Sequence, residues 1–498
     1  MTWRYGQKFI AAADIIREDK RLNALFITNF GCGPDSFLIK FFRKRMGGKV
    51  YLQIEVDEHS ADVGAITRCE AFLDSIENIR RKETKKYSLN LLSIDKSKNR
   101  TLYIPRMYDG AFAIKAAFIA SGVPAEVMPE SNAETLYWGR KYTTGKECYP
   151  CIITTGDMVR MINSKGFTPE KSAFFMPAAG GGCRFGYYHV LQRVVLDELG
   201  YHEVPIYAPM QTDNFLEDLG ANVDNEFFRL AWNGIVAVDL LDKALRETRP
   251  YEINKGQTYE VYWEYLQKTC NAIMKKQDVL PVMRLARSAF EKIQTDRREI
   301  RPVIGLVGEI FVRTHKFSNN NIVEALESLG AEVWIAPFFE WIFYVNLINK
   351  EDRIRERDLL GYAKLYLEDK VARKDESRLV DAWEGFLRSA HEPPAEENVK
   401  AGSAYIDPSY RGETILSLGK AVDFYKKGLS GIVNVMPFTC MPGTVVNSLL
   451  KRYRQTCGDI PALNVAYDGL DMSNNLIRLE AFVHQCKQYM HKHLLAGV

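Results

Sequence analysis

The residues of this sequence whose types and settings could do chemistry are its cysteines, nine among 498 residues. Five of them stand beside Gly or Pro in short motifs: Cys32 in FGCGP, Cys148 and Cys151 in KECYPC, Cys183 in GGGCRFG and Cys440 in FTCMPG. Such loops let the backbone approach a ligand closely and leave the first N–H groups of a helix free to face it. We expect the cysteines among charged helical residues to be inert: Cys270, Cys457 and Cys486.

Several ligands could use thiols in such loops. A structural zinc site usually pairs two C-x₂-C knuckles, whereas only Cys148 and Cys151 form such a pair. A thiol–disulfide oxidoreductase would use that same pair at a helix start, which leaves the other loop cysteines unexplained. An iron–sulfur cluster accepts single thiolates from separate loops. The pattern therefore favours an iron–sulfur cluster, while zinc, dithiol chemistry and purely structural thiols stay open.

The elements that must position these loops alternate between strand and helix patterns. Predicted strands cover residues 24–29, 50–54, 102–104, 125–128, 172–176, 302–307 and 332–336. Helical patterns follow most of them, which is typical of parallel sheets with crossover helices. Long charged helical stretches interrupt this alternation at 225–298 and 350–390, and the Pro-rich stretch 392–403 reads as an exposed loop. The fold class that we predict is α/β with helical inserts.

This alternation also predicts four parts of the chain. They are a first α/β unit, 1–100, with Cys32; a second, 101–224, with Cys148, Cys151 and Cys183; a helical connection, 225–300; and a C-terminal α/β domain, 301–498, with the insert 350–390 and Cys440.

Composition excludes some classes of protein. The net charge is +3 and no basic stripe is present, which argues against a nucleic-acid partner. No apolar stretch approaches the roughly 20 residues that a membrane-spanning helix needs, and the start of the chain lacks a signal-peptide pattern. We expect a cytoplasmic protein without a membrane partner.

The strongest organisational signal is an internal repeat, in which residues 24–75 align with 431–485. Each copy predicts a strand, a Cys loop, a helix, a second strand and a second helix. The matched positions are Cys32 with Cys440, Pro34 with Pro442, Asp57 with Asp468, Arg68 with Arg478, and the EAF motifs at 70–72 and 480–482. Each copy thus offers one thiol at the carboxyl end of a strand, where α/β sheets bind ligands.

Several of these motifs together resemble the superfamily of 2-hydroxyacyl-CoA dehydratases, benzoyl-CoA reductases and double-cubane cluster proteins, closest to the C-terminal portion of its activase-related members. The carriers are NFGCGPDSF (29–37), LQIEVDEHSADVGAITRCEAFLDS (52–75), KECYPCIITTGDM (146–158), CRFGYYHVLQRVVLDELG (183–200) and MPFTCMPGTVVN (436–447). The resemblance covers most of the chain.

The resemblance implies two or three flavodoxin-like (Rossmann-like) domains around an oxygen-sensitive cluster, [4Fe-4S] or double-cubane [8Fe-9S]. Its ligands would be Cys32, Cys148, Cys151, Cys183 and Cys440. It also implies a partner ATPase with its own iron–sulfur cluster, an acyl-CoA or other small-molecule substrate, and a homo- or hetero-oligomer. No phosphate-binding loop pattern occurs here, so we expect ATP hydrolysis to belong to the partner. An electron relay or scaffold subunit, and a zinc-stabilised binding module, are the alternatives.

Some polar residues could also take part, although the sequence assigns no catalytic residue. Cys69 could be a sixth thiolate, but its repeat partner is Leu479, which favours a buried helical position. The group Glu55, Asp57, Glu58 and His59 follows a strand and could donate protons, or it could be a solvated loop with a capping acid. We expect His491 and His493 to be surface residues.

Overall fold

The computed structural model describes residues 3–29, 31, 33–57, 59–78, 100–209, 225–470 and 473–496. The ten strands in this part of the chain are β1 (Ala24–Thr28), β2 (Tyr51–Glu55), β3 (Thr101–Ile104), β4 (Ala125–Val127), β5 (Ser172–Phe175), β6 (Ile206–Tyr207), β7 (Val303–Gly308), β8 (Glu332–Ile335), β9 (Gly431–Pro437) and β10 (Ala462–Tyr467). Each of the seven ranges predicted as strands overlaps one of these strands to within a residue or two at either end, and among the described strands only the two-residue β6 has no counterpart among the predicted elements.

Helices make up most of the remaining structure, and in the described residues they are α1 (Arg4–Glu18), α2 (Asp35–Met46), α3 (Asp62–Asn78), α4 (Gly110–Ala120), α5 (Ala133–Tyr142), α6 (Tyr149–Ile162), α7 (Tyr188–Glu198), α8 (Asn225–Thr248), α9 (Gln257–Met274), α10 (Leu280–Glu291), α11 (Ile310–Thr314), α12 (Ile322–Ser328), α13 (Phe338–Arg355), α14 (Leu359–Val380), α15 (Ala395–Gly402), α16 (Glu413–Lys426), α17 (Met441–Thr456) and α18 (Ser473–Ala496).

The chain forms two compact units, and each is discontinuous in sequence. The first comprises residues 1–95 and 133–219, and the second comprises residues 96–132 and 220–498. The pairs β1–β2 and β5–β6 of the first unit are parallel, as are β3–β4 and all pairings around β7 and β9 in the second. The predicted α/β class with parallel sheets and helical inserts is therefore confirmed, whereas the four-part division stays a prediction.

In the first unit, strand β1 is covered on one face only. Phe26 is buried and its ring packs against Phe9 and Phe42, which belong to α1 and α2. The alternate residues Leu25 and Ile27 are 48% and 59% exposed. Because successive strand residues point to opposite faces, the apolar sequence ALFIT buries every second residue here rather than all of them.

The second unit contains a four-stranded parallel sheet in the order β10-β9-β7-β8. Counted from β7, this is the strand order 2-1-3-4 of flavodoxin-like folds, whose ligands bind at the switch point between the first and third strands. Strand β9 (GIVNVMP) is buried along its whole length, because it pairs with strands on both sides and helices α16 and α17 pack against it. A continuous apolar run of this kind is typical of a central parallel strand.

The charged stretch 225–298 is helical, as predicted, and forms α8, α9 and α10. After α8 the chain turns near Pro250, in a short 3₁₀ segment. Pro281 occupies the first turn of α10. A proline is tolerated at both places because neither position needs its N–H for an intrahelical bond.

One sequence prediction was wrong. Residues 392–403 were expected to form an exposed loop, but 395–402 form α15, with Ala395 and Asn398 buried. Two glycines explain the difference, because a Cβ at Gly419 would lie 1.9 Å from the carbonyl oxygen of Asn398 and one at Gly402 would lie 2.4 Å from that of Ile415. Helices α15 and α16 therefore cross closely, and this packing outweighs the local turn signals.

In the described part of the chain, no helix is both long and apolar enough to cross a membrane.

Candidate functional site

The first unit places two thiols at the start of α6. Cys148 is the N-cap residue with extended backbone, and Cys151 lies one turn into the helix. Both are buried, and the Cys151 N–H donates to the Cys148 carbonyl at 2.9 Å. The sequence folds this way because Pro150 suits the first helical turn, where its missing N–H costs nothing. The pair therefore shares the positive end of a helix dipole, which favours negatively charged sulfur.

Burial determines the protonation state of the Cys151 thiol when no metal is bound. Desolvation raises the pKa of this thiol well above its usual value, and Cys148 and Glu147 raise it further. The neighbouring Thr155 side chain and the nearby Arg184 guanidinium act in the opposite direction. Without a metal, Cys151 is therefore a neutral thiol at physiological pH, and ionisation requires an added positive charge, since a coordinating metal deprotonates its thiol.

Two side chains that the sequence reasoning did not single out contact this site. The Cys148 sulfur lies 2.6 Å from the Tyr188 hydroxyl, which would donate to it if the sulfur were ionised. Arg184 is 7% exposed and donates to the Ser36 hydroxyl at 3.2 Å and to the Lys146 carbonyl at 3.3 Å. Both residues belong to the motif CRFGYY, so the signal that could have found them is their position directly after Cys183.

Cys183 itself is exposed, at the N-cap of a 3₁₀ segment, Arg184–Tyr187, that leads into α7. The preceding loop turns at Gly181, whose φ is +86°. It closes tightly at Gly186, where a Cβ would lie 2.2 Å from the Ala179 carbonyl oxygen. These glycines were predicted to bring the backbone close to a ligand. In the structure they form an exposed loop that carries the Cys183 thiol.

Cys32 lies outside the described residues, but the residues on either side of it are described. Gly31 and Gly33 both have positive φ, at +66° and +58°. The Thr28 hydroxyl accepts the Gly31 N–H at 3.1 Å and donates to Asp35 at 2.7 Å, so it connects Gly31 and the start of α2 to the end of β1.

Cys440 occupies the corresponding place in the second unit. It is buried and is the N-cap residue of α17, with extended backbone. The residue before it, Thr439, has a φ of +68°, as Gly31 has before Cys32. The loop follows β9 directly, so Cys440 lies at the switch point between β7 and β9 that the strand order defines.

The two copies of the repeat also share a turn at the end of their second strand. The His59 N–H donates to the Asp57 carboxylate at 2.9 Å, and the Leu470 N–H donates to the Asp468 carboxylate at 2.8 Å. In both copies the order of elements is strand, Cys loop, helix, strand and helix, with the two strands parallel and adjacent. The predicted repeat is therefore a structural repeat.

The other candidate residues have mostly structural surroundings. Glu55 forms a close ion pair with Lys146, and Asp57 caps its own turn, while Glu58 lies outside the described residues. The His59 side chain is exposed, and Cys69 is half-buried on α3. His491 and His493 are exposed on α18, which agrees with the prediction of surface residues.

A cluster requires several thiolates, and the described residues satisfy this requirement in part. The donors have the right chemistry, because Cys148, Cys183 and Cys440 each stand at the start of a helical segment, whose positive end favours an anionic sulfur. Within the described ranges, however, no three Cys, His, Asp or Glu side chains lie close enough together to hold a metal ion. Cys32, a predicted ligand in the loop after β1, is not among them.

Neither a protein-family model nor any curated protein matches this chain.

Proposed function

We propose that this protein is the iron–sulfur component of an ATP-dependent, low-potential reducing system, which accepts electrons from a separate activator ATPase and reduces or dehydrates a bound substrate. The observation that carries the proposal is the buried pair Cys148 and Cys151 at the start of α6, with the Arg184 guanidinium beside it. The resemblance of the cysteine motifs supports the choice of cluster over other thiol ligands.

In this proposal, the chain holds its cofactor through Cys148 and Cys151, together with the predicted ligands Cys32, Cys183 and Cys440. A bound cluster would supply one-electron chemistry at low potential, because thiolate ligation keeps the potential strongly negative. Arg184 would compensate part of the negative charge of the ionised thiols. The Tyr188 hydroxyl would donate a hydrogen bond to the Cys148 sulfur, which is one of the levers that tune such sites.

Anaerobic purification with iron and sulfide analysis tests the cofactor. We expect roughly four to eight irons per chain, with matching sulfide, as one or two cuboidal clusters require. Cys148→Ala, Cys183→Ala and Cys440→Ala should each lower the iron content or change the spectrum. Cys270→Ala is the matched control, because Cys270 lies within α9 and not in a Gly- or Pro-flanked loop at a helix start. A colourless protein with stoichiometric zinc would favour the zinc-stabilised binding module instead.

The energy coupling is tested separately. The purified chain should show no ATPase activity, because its sequence contains none of the phosphate-binding loop patterns. With an activator ATPase present, it should accept electrons only while ATP is hydrolysed, and a non-hydrolysable nucleotide should not replace ATP. Full reduction by a mild donor without ATP would contradict the proposal. Reduction without turnover of any acyl-CoA or small-molecule substrate would instead identify an electron relay or scaffold subunit.

A further inference from the structure

The second unit contains a cavity of about 270 Å³ that the thiol chemistry does not use. It lies at the carboxyl ends of β3 and β8, beside helix α8, and none of its described lining residues is a cysteine. The carboxyl ends of parallel strands are where α/β sheets place ligands. The position therefore suits a binding site, and the side chains around it indicate what kind of ligand it would take.

One wall of the cavity is cationic and poorly solvated. Arg246, on α8, is 6% exposed, and Arg249 follows directly after that helix. Burial, and after it the like charge of Arg249, lower the pKa of Arg246 to about 10. Arg246 forms a close ion pair with the partly exposed Asp242, whereas Arg249 pairs at 2.7 Å with Glu327, whose side chain is 9% exposed. Arg246 is thus the cation that an additional anion would stabilise.

Two further donors in the cavity wall are buried without a hydrogen-bond partner among the described residues. They are the Tyr108 hydroxyl and the Nε atom of Arg313, which is 7% exposed. The Tyr108 ring stacks on Phe338, with centroids 4.6 Å apart, which fixes the direction of its hydroxyl. Buried donors are normally satisfied, so two of them in one cavity wall indicate acceptor oxygens that a ligand would bring.

Asp239 lies near all three of these donors. It accepts the Phe339 N–H at 2.9 Å and interacts electrostatically with Arg246, Arg313 and Tyr108. Burial raises the pKa of its carboxyl group to about 7, against the effect of the two arginines, so it can share a proton with a ligand oxygen near neutral pH. Three donors and one weakly acidic carboxyl group thus surround the same part of the cavity.

Other polar groups in the wall are already engaged. His315 contacts the Ser131 hydroxyl at 3.1 Å and the Ser318 hydroxyl at 2.6 Å, and Arg106 pairs with Asp109 and Glu130. The volume corresponds to about nine water molecules at roughly 30 Å³ each. The enclosed part of the cavity therefore suits a metabolite of about ten non-hydrogen atoms.

We propose that this cavity binds a small organic carboxylate, whose oxygens accept from Arg246, Arg313 and the Tyr108 hydroxyl while its carbon skeleton lies against the Tyr108–Phe338 stack. The site goes beyond the proposed reducing function, since it is built entirely from residues of the second unit and needs no metal.

The test is direct binding to the purified full-length chain, measured by ligand-observed NMR and titration calorimetry. The probes are aliphatic and aromatic carboxylates of four to twelve carbons, with benzamide as the uncharged match of benzoate, and inorganic phosphate. At least one carboxylate should bind at millimolar concentration or tighter. Its uncharged match should bind about tenfold more weakly, because a charge-assisted hydrogen bond is lost. No binding by any carboxylate, or equal binding of phosphate, would overturn the proposal.

Variants locate the binding in the cavity. Tyr108→Phe removes a hydroxyl that has no partner in the described structure, so the fold should be retained while the affinity falls about three- to tenfold. Arg246→Gln should weaken binding more than tenfold. Tyr366→Phe, at a 42% exposed tyrosine of α14, is the matched control and should change nothing. A folded Tyr108→Phe variant with unchanged affinity would show that the carboxylate binds elsewhere. Because no iron is required, failure of this test leaves the cluster proposal unaffected.

Discussion

Strands β1 and β9 begin the two copies of the repeat, yet β9 lies inside a four-stranded sheet whereas β1 pairs, among the described residues, with β2 alone. Leu25 and Ile27 of β1 align with Val433 and Val435 of β9 when the loop cysteines are matched. The first pair is about half exposed, and the second is fully buried. Similar local sequences thus form the same elements, and their neighbours decide how stable each copy is.

The difference lies in what stands beside the first strand. Strand β9 pairs with β7, which pairs in turn with β8, and α16 packs on that sheet through Leu418 and Phe424. In the described part of the first unit, no strand occupies the corresponding edge of β1. The left-handed residue before the loop cysteine, Gly31 or Thr439, is nevertheless shared, so this local feature does not depend on a complete sheet.

The largest expected difference between the two strands follows from placing an aspartate at matched positions, one buried and one half-exposed. Val433→Asp should destabilise the second unit by more than about 3 kcal/mol, because the aspartate would be buried without a partner. Leu25→Asp, at a residue 48% exposed, should cost less than about 1 kcal/mol. Hydrogen exchange of the β9 and β1 peptides measures both effects locally. Equal losses of protection would mean that the two strands have equivalent surroundings.

The second prediction concerns the buried ion cluster of α16, the helix that packs on the sheet of the second copy. Lys420 is 1% exposed and lies 2.6 Å from Glu392, 3.2 Å from Glu340 and 3.2 Å from Asp423. Lys420→Met should cost about 3–5 kcal/mol, since it leaves the buried Glu340 carboxylate without its salt-bridge partner, whereas Glu392 and Asp423 keep Lys427. Urea unfolding of the variant measures this loss.

The control for the ion cluster is an exposed pair of the first unit, Arg21 with Asp19, at 2.8 Å. Its Arg21→Met variant should unfold at the same urea concentration as the wild type, because water screens exposed charges. A comparable loss in both variants would contradict the distinction between buried and exposed pairs.

A third prediction uses pH to test the buried surroundings of Glu309, the residue that follows β7. Strand β7 has no described counterpart beside β1. Glu309 follows β7, and burial together with the Glu413 charge raises its pKa to about 8. The folded state therefore keeps a proton that the unfolded state loses near pH 4.3, so wild-type stability falls as pH rises from about 5 to 8. Glu309→Gln can still accept the Val312 N–H, which Glu309 accepts at 2.8 Å.

The free energy of unfolding of the Glu309→Gln variant should thus rise relative to that of the wild type by up to about 1.4 kcal/mol per pH unit. This difference should level off above pH 8. Urea midpoints from pH 5 to 9 measure the difference between the two proteins. A difference that stays constant with pH would show that Glu309 is ionised throughout.

The smallest expected effect compares the residues before the two loop cysteines. Gly31 and Thr439 both have left-handed backbone, with φ of +66° and +68°. Gly31→Ala should cost about 1–2 kcal/mol, because a Cβ is strained there and would lie 2.8 Å from the Lys146 Cδ atom. Thr439→Gly should be stabilising by about 1 kcal/mol, since it removes the same strain. Thermal unfolding measures both changes, and effects of the same sign would show that the two loops differ.

Much of the fold could be predicted from the sequence because it depends on short-range patterns. Seven strands, the long helical insert and the repeat follow from apolar periodicity and from Gly and Pro placement. The exceptions have long-range causes. Helix α15 exists where turn signals predicted a loop, because Gly402 and Gly419 allow close helix packing.

The candidate site divides in the same way. The sequence by itself determined which thiols stand at helix starts and that the two copies share a loop, since N-cap and turn preferences act over a few residues. Only the tertiary structure decided that Arg184 lies beside Cys151, that Cys440 stands at a switch point, and that Arg246, Arg313 and Tyr108 line one cavity. These residues are distant in the chain, and their proximity depends on how sheets and helices pack, which no local pattern encodes.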